Sequence, residues 1–501
     1  MQPAGTGMTA VDTAIIVAYL GVVLLLGAYF FGKQKSLSDY FLARRNIPWW
    51  AAAFSAIATI TSAVSFLGAP GQAFSSDLRF LQYRLGSPLA FFLVGWIMIP
   101  FFYRLRLFSI YEYLEQRFDL KTRLVASGQF ILLKTLFLGI AIYAPSLIFE
   151  RMTGLPLFWT VVLTGLFVTF YTTFGGIKAV IWTDTLQLGI VFGGLYAAGA
   201  VIAERTGGVA TVLRFASEHG KLRFLDFSTS FTDEFTVLGG VLGGTFILLS
   251  QYGVNQAELQ KLLTTSSIGQ SRGALAVSMV VTALVGLTYF LVGAGLYVFY
   301  TQDPSRGAAG LTPDRIFPKF IVEELPVGLR GLLLAAVSAA AMSTISSILN
   351  SLTTVITTDF AGRLGSRQPG VGMARRITFG LGVLCTFAAL YAERFGNMLV
   401  TATKLQNTLG GSLTGAFLLG MTVKRANAHG AFSGLVLGTG GALLLAFLSD
   451  VSWVWHGLVA AVIAYGGGYF LSLQRPAPGD GVRQRLVWRP GHVHQTTVVT
   501  Q

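Results

Sequence analysis

Ala340, Ser343, Thr344 and Ser347 fall at i, i+3, i+4 and i+7 of the stretch 332–360, so in a helix they form one stripe. Ser346 sits beside it. A lipid-facing stripe would carry Leu, Ile or Phe, whereas this one offers oxygen atoms and room for a close neighbour. Two chemistries fit. Small residues let membrane helices approach, and a Ser or Thr hydroxyl can bond the carbonyl four residues back. Hydroxyls and carbonyls also suit hard cations such as Na⁺. A second candidate is Asp184, an acid within an apolar run. An ionisable residue at membrane depth marks a functional site by default. The plainer reading is a hydrated acid near the membrane interface, six residues after Lys178. Along its own helix no Lys or Arg stands one turn away, at 180, 181, 187 or 188. A buried Asp184 therefore needs a cation partner or a proton.

The elements that hold these residues are membrane helices. Of 501 residues, 53% are hydrophobic and 12% charged, against about 25% charged in a soluble domain. Thirteen apolar segments follow one another: 11–31, 47–75, 80–103, 124–149, 156–175, 179–203, 236–258, 274–300, 331–360, 377–392, 397–421, 428–449 and 453–473. Together they predict one transmembrane domain over 1–473, with a disordered tail at 474–501 rich in Pro and Gly. The first segment lacks the basic leader and cleavage site of a signal peptide. Cys385 is the single cysteine, so no internal disulfide forms. The net charge of +14 is spread between the apolar segments and builds no patch for nucleic acid. Placing the N-terminus outside puts 22 of the 36 Lys and Arg residues in inside loops and 11 in outside ones. The basic bias thus predicts N-out, C-in topology in the plasma (inner) membrane. A short surface helix is expected over 312–325, capped by Thr312 ahead of Pro313.

Two segments read as interrupted. One is 47–75, with a polar run at 59–65 and Gly68, Pro70 and Gly71 beyond it. The other is 236–258, with Gly239, Gly240, Gly243 and Gly244. Glycine weakens a helix interior by about 1 kcal/mol, and unwound backbone survives at membrane depth only where protein or a water-filled cavity satisfies it. The interruptions lie five segments apart, the spacing of an inverted five-plus-five repeat, with core repeats at about 47–203 and 236–421.

Four stretches carry a family resemblance: DYFLARRNIPWWAAAFSAIATITSAVSFLGAPGQAF (39–74), TFGGIKAVIWTDTLQ (173–187), NQAELQKLL (255–263) and SAAAMSTISSILNSLTTVITTDF (338–360), reinforced by GAFLLGMTVKRANAHGAF (415–432). In these the chain resembles the sodium/solute symporter family, whose core has the LeuT fold, including its sialic acid branch, and the loop YRLRLFSIYEYLEQRF (103–118) also resembles its iodide and monocarboxylate branch. The resemblance implies an all-helical symporter that imports a small solute with sodium by alternating access. It implies a common sodium site at Ala58, Thr61, Ala340, Ser343 and Thr344. It implies a second sodium at Asp184, Ser343, Ser346 and Ser347, hence two Na⁺. It also aligns Ser62, Ser65, Phe80 and Arg84 with substrate-cavity positions of sialic acid transporters.

Where those transporters place a carboxylate-binding Arg, this chain has Phe137, a departure that bears on sialic acid itself. Ile60, Val64 and Ser65 stand where sugar carriers of the family are acidic and polar, which argues against a galactose-type sugar. Lys134, Arg84 and Lys404 are cations within spans, and a cation beside a cavity favours an anion; each could instead snorkel. The expected substrate is a small organic anion such as a sialic acid or monocarboxylate. A neutral or zwitterionic solute, or an inorganic anion, is the alternative. The other partner is membrane lipid. The five histidines are scattered, and no HExxH or GxSxG occurs, so neither a metallohydrolase nor a serine hydrolase is indicated. No signalling domain follows the last span, which counts against a sensor.

Overall fold

The computed structural model describes residues 8–30, 34–308, 310–364, 369–392, 398–479 and 486–488. Among these residues every regular element is helical, as it must be where lipid offers no partner for backbone groups. The principal helices are α1 (Ala10–Phe30), α2 (Trp49–Ile60), α3 (Ala63–Ser75), α4 (Leu78–Leu105, with 3₁₀ and π turns), α5 (Leu120–Thr153) and α6 (Leu157–Arg205). They continue with α7 (Val237–Gly253), α8 (Gln256–Leu262), α9 (Ile268–Gln302), α10 (Pro313–Glu323), α11 (Leu329–Val355) and α12 (Val371–Ala389). The last are α13 (Met398–Thr422), α14 (Ala428–Leu448) and α15 (His456–Ser472).

Among the described residues nine helices are long and apolar enough to cross a membrane, or up to eleven with each bent pair taken as one span. At 49 residues, α6 is too long for a single crossing, which takes about 20 residues. It covers the segments 156–175 and 179–203 and is broken at Gly176, whose φ of +60° suits glycine.

Two helix pairs are bent: α2 and α3 by 58°, α7 and α8 by 64°. Each second half is capped by its own preceding residue. Ser62 Oγ accepts from the Ser65 N–H, and Asn255 Oδ1 from the Ala257 N–H, satisfying amides orphaned by the break. The glycines singled out as interruptions do other work. Gly239 to Gly244 lie inside the continuous helix α7, and the break comes later, at Val254–Asn255. A Cβ on Gly244 would lie 2.2 Å from the Tyr83 carbonyl, and one on Gly240 2.3 Å from that of Gln82, so these glycines let α7 lie directly on α4. Likewise Gly68 and Gly71 are helical residues of α3, and a Cβ on Gly71 would strike the Pro313 carbonyl.

α11 packs along α6, α9 along α3, and α13, α14 and α15 pack on one another, with α13 and α15 also against α7. α10 corrects the expectation of a surface helix. It buries Ile316, Phe317 and Phe320 and sets Phe317 5.6 Å from the Phe66 ring of α3; Thr312 makes no side-chain cap. The tail departs from the expected disorder at 486–488. There Tyr113 Oη donates to the Leu486 carbonyl, and the Trp488 N–H to the Met421 carbonyl, at 3.1 and 2.8 Å. At 475 and 476 the backbone carbonyls accept from Asn427 Nδ2; 480–485 and 489–501 lie outside the described residues.

Candidate functional site

The break between α2 and α3 leaves carbonyls without helical partners. Ser62 N–H, which would serve Ala58 in a continuous helix, turns to the Ile60 carbonyl instead. The stripe on α11 meets what is freed. Ser343 Oγ lies 3.0 Å from the Ala58 carbonyl and 3.1 Å from that of Ala340; Thr344 Oγ1 lies 3.0 Å from the Thr59 carbonyl. Ala58, Ala340, Ser343 and Thr344 are all at least 98% buried. Neutral oxygens from two helices thus converge at a buried point, which is the donor set a hard cation takes. Thr61, the fifth expected member, is buried in the break with its hydroxyl unpartnered. The carbonyl that Thr344 meets belongs to Thr59.

Asp184, on α6, is fully buried. Its Oδ2 accepts from Ser55 Oγ at 2.6 Å and lies 3.4 Å from Ser347 Oγ. The cation partner missing from its own helix comes from another. Lys261 Nζ, on α8, stands 2.7 Å from Oδ2, with side chains only 1% and 0% exposed. The same ammonium reaches the Ser55 carbonyl at 2.9 Å, Ser347 Oγ at 2.6 Å, and Thr59 Oγ1. Of the expected second set, Ser347 alone bonds Asp184; Ser346 Oγ donates to the Ser343 carbonyl. Asp184 Oδ1 is buried without a hydrogen-bond partner.

Beside the break lies a cavity of about 140 Å³. Ser62, Ser65, Phe80, Arg84 and Lys134 all line it, and so do Thr59, Thr61 and Thr344. The cavity and the convergent oxygens therefore share residues. Ser62 spends its hydroxyl capping α3. Phe80 stacks on Phe290 with ring centres 5.5 Å apart. Lys134 is 95% buried, with its ammonium 2.9 Å from Gln406 Oε1. Arg84 stacks its guanidinium 4.7 Å from the Tyr83 ring centre, leaving Nε and Nη1 without hydrogen bonds. Lys404 is a correction. It is exposed and outside the cavity, which α13 faces with Ala402, Thr403 and Gln406.

Sequence reasoning missed Glu258 and Lys261, both on α8. The apolar-run criterion singles out Asp184 alone, yet Glu258 is 97% buried and lines the cavity. Asp359, near the end of the α11 stretch, is also fully buried and pairs with Arg123 at 2.5 Å. The available signal was a charged pair, Glu258 and Lys261, one helical turn apart beyond an N-capping Asn255.

Comparison with known proteins agrees with this architecture. The family model for the sodium:solute symporter family matches residues 40–438. The sodium/sialic acid symporter of Proteus mirabilis is 32% identical, with 90% of this chain and 92% of that one covered. The human sodium/iodide cotransporter is 36% identical over 81% of this chain and 64% of that one. A solved structure of a Na⁺-coupled sialic acid symporter, substrate-bound and outward-open, superposes with a TM-score of 0.86 at 32% identity, covering 94% of this chain and 99% of that one. A nucleobase-cation-symport-1 family transporter in a closed conformation shares the fold, at a TM-score of 0.57 and 15% identity. With its two bent helix pairs, its LeuT-like fold and a family match spanning most of its length, the chain belongs to the sodium:solute symporter family and is a membrane transporter, not an enzyme.

Proposed function

We propose that the protein imports a small organic anion together with sodium by alternating access, in the plasma membrane, with its N-terminus outside and its C-terminus cytoplasmic. The observation that carries the coupling is the sharing of Thr59 and Thr344 between the cavity and the convergent oxygens. An ion held by Ala58, Ala340, Ser343 and Thr344, with the Thr59 or Thr61 carbonyl completing its shell, fixes the break between α2 and α3 and with it one wall of the cavity. Each ligand then favours the conformation that suits the other, which is a coupling free energy between sites. Inward movement of sodium supplies roughly 2.3 kcal/mol per charge per 100 mV, besides its concentration gradient.

A second sodium belongs beside Asp184. Lys261 neutralises Oδ2, and the buried, unpartnered Oδ1 supports a further cation there, with Ser346 and Ser347 on the facing helix. The stoichiometry we propose is two Na⁺ per substrate.

Charge in the cavity sets the substrate class. Lys134 and Arg84 face it, and so does the single carboxylate of Glu258, leaving an excess of positive charge that favours an anion. Sialic acids and monocarboxylates fit this class. A thermal-shift screen in sodium chloride tests it. Carboxylates should be the best stabilisers, and their effect should vanish when choline replaces sodium. A neutral sugar or a zwitterionic amino acid as the best stabiliser would contradict the anion reading.

A further inference from the structure

Glu258 is not needed to hold sodium, yet it stands in the cavity wall. Its Oε2 is buried and has no hydrogen-bond partner. Lys261, one turn along α8, bonds Asp184, and Lys134 bonds Gln406; neither gives Oε2 a hydrogen bond. When ionised, a carboxylate oxygen is an acceptor and nothing else. Burying it unpartnered is costly, and the cost is removed when a donor arrives. The cavity thus joins two unlike demands. Arg84 offers donors at Nε and Nη1 with no partner, and Lys134 offers an ammonium; Glu258 asks for a donor.

We propose that Glu258 is a specificity-determining residue, and that the transported anion is a carboxylate bearing a hydroxyl or amide N–H that donates to it. The inference rests on the anion reading above and narrows it. The charge balance separates a neutral donor from an ammonium. Lys134 and Arg84 together exceed Glu258 by one positive charge, so the bound solute is a net anion and its second group is uncharged. Discrimination of this kind is strong, because an analogue lacking the donor leaves the buried oxygen unpaired.

The test is a set of matched pairs, titrated in sodium chloride and followed by thermal stability or intrinsic fluorescence: propionate against lactate, butyrate against 3-hydroxybutyrate, with N-acetylneuraminate and alanine alongside. Hydroxy acids should bind at least roughly tenfold more tightly than their parents, a difference of about 1.4 kcal/mol. In Glu258→Leu the preference should collapse to parity while the parent acids bind as well or better. Parents that bind wild type as tightly as hydroxy acids overturn the inference and leave the anion reading standing. Alanine as the tightest ligand, or no carboxylate binding at all, overturns the anion reading and this inference with it. The wild-type ranking decides the matter even if the Leu variant folds poorly.

Discussion

Replacing Ser343 and Thr344 together by Ala should abolish sodium-driven uptake while leaving expression and membrane insertion intact. Both hydroxyls meet carbonyls freed at the α2–α3 break, so the double variant removes two of the proposed ion's ligands at once. If each is worth about 1.4 kcal/mol, sodium affinity falls roughly 100-fold. Folding should be weakened by a comparable amount, since each of the two orphaned carbonyls costs about 1–3 kcal/mol, but α11 keeps its packing along α6, so the protein should still insert. Uptake that keeps its normal sodium dependence in the double variant would rule out this site.

Asp184→Asn should carry two separable effects. One is on stability. Lys261 and Asp184 are a fully buried pair 2.7 Å apart, and removing one partner of such a pair costs about 3–5 kcal/mol because the other charge is left uncompensated. The other is on ion number: the Hill coefficient for sodium should fall from two toward one. Lys261→Met combined with Asp184→Asn separates them. It removes both charges, should regain most of the lost stability, and should still respond to sodium with a coefficient near one. An Asn variant as stable as wild type would contradict the pairing. A wild-type coefficient of one, unchanged in the Asn variant, would show that Asp184 takes no sodium.

What could be read from the sequence follows from the range of each interaction. The stripe of Ala340, Ser343 and Thr344 was legible because helix periodicity is local and places those residues on one face. Asp184 was legible as an acid in an apolar run. Its partner was not, because Lys261 lies 77 positions away on another helix, and only the tertiary fold brings its side chain to Asp184. The first break was sensed from the polar run 59–65 and lies there, at Thr61–Ser62; the second was assigned to the glycines of α7 but lies beyond them, at Val254–Asn255. Glycine signals both loss of helix and close approach of helices; at Gly240 and Gly244 it serves approach to α4. The caps were the better signal, since Ser62 and Asn255 mark where the second half of each pair begins. Lys404 failed for a similar reason: a cation within a span says nothing of which face it occupies, and α13 turns Thr403 and Gln406 to the cavity instead.

The claim that the carrier is driven by sodium is tested most directly by purified protein in proteoliposomes, loaded without sodium and given a labelled carboxylate chosen from the screen. The account predicts that an inward sodium gradient drives internal substrate above the external concentration, and that an inside-negative potential increases this. Collapsing the gradient with a sodium ionophore should return the substrate to equilibrium. Uptake that proceeds at the same rate without sodium, and never passes equilibrium, would contradict it.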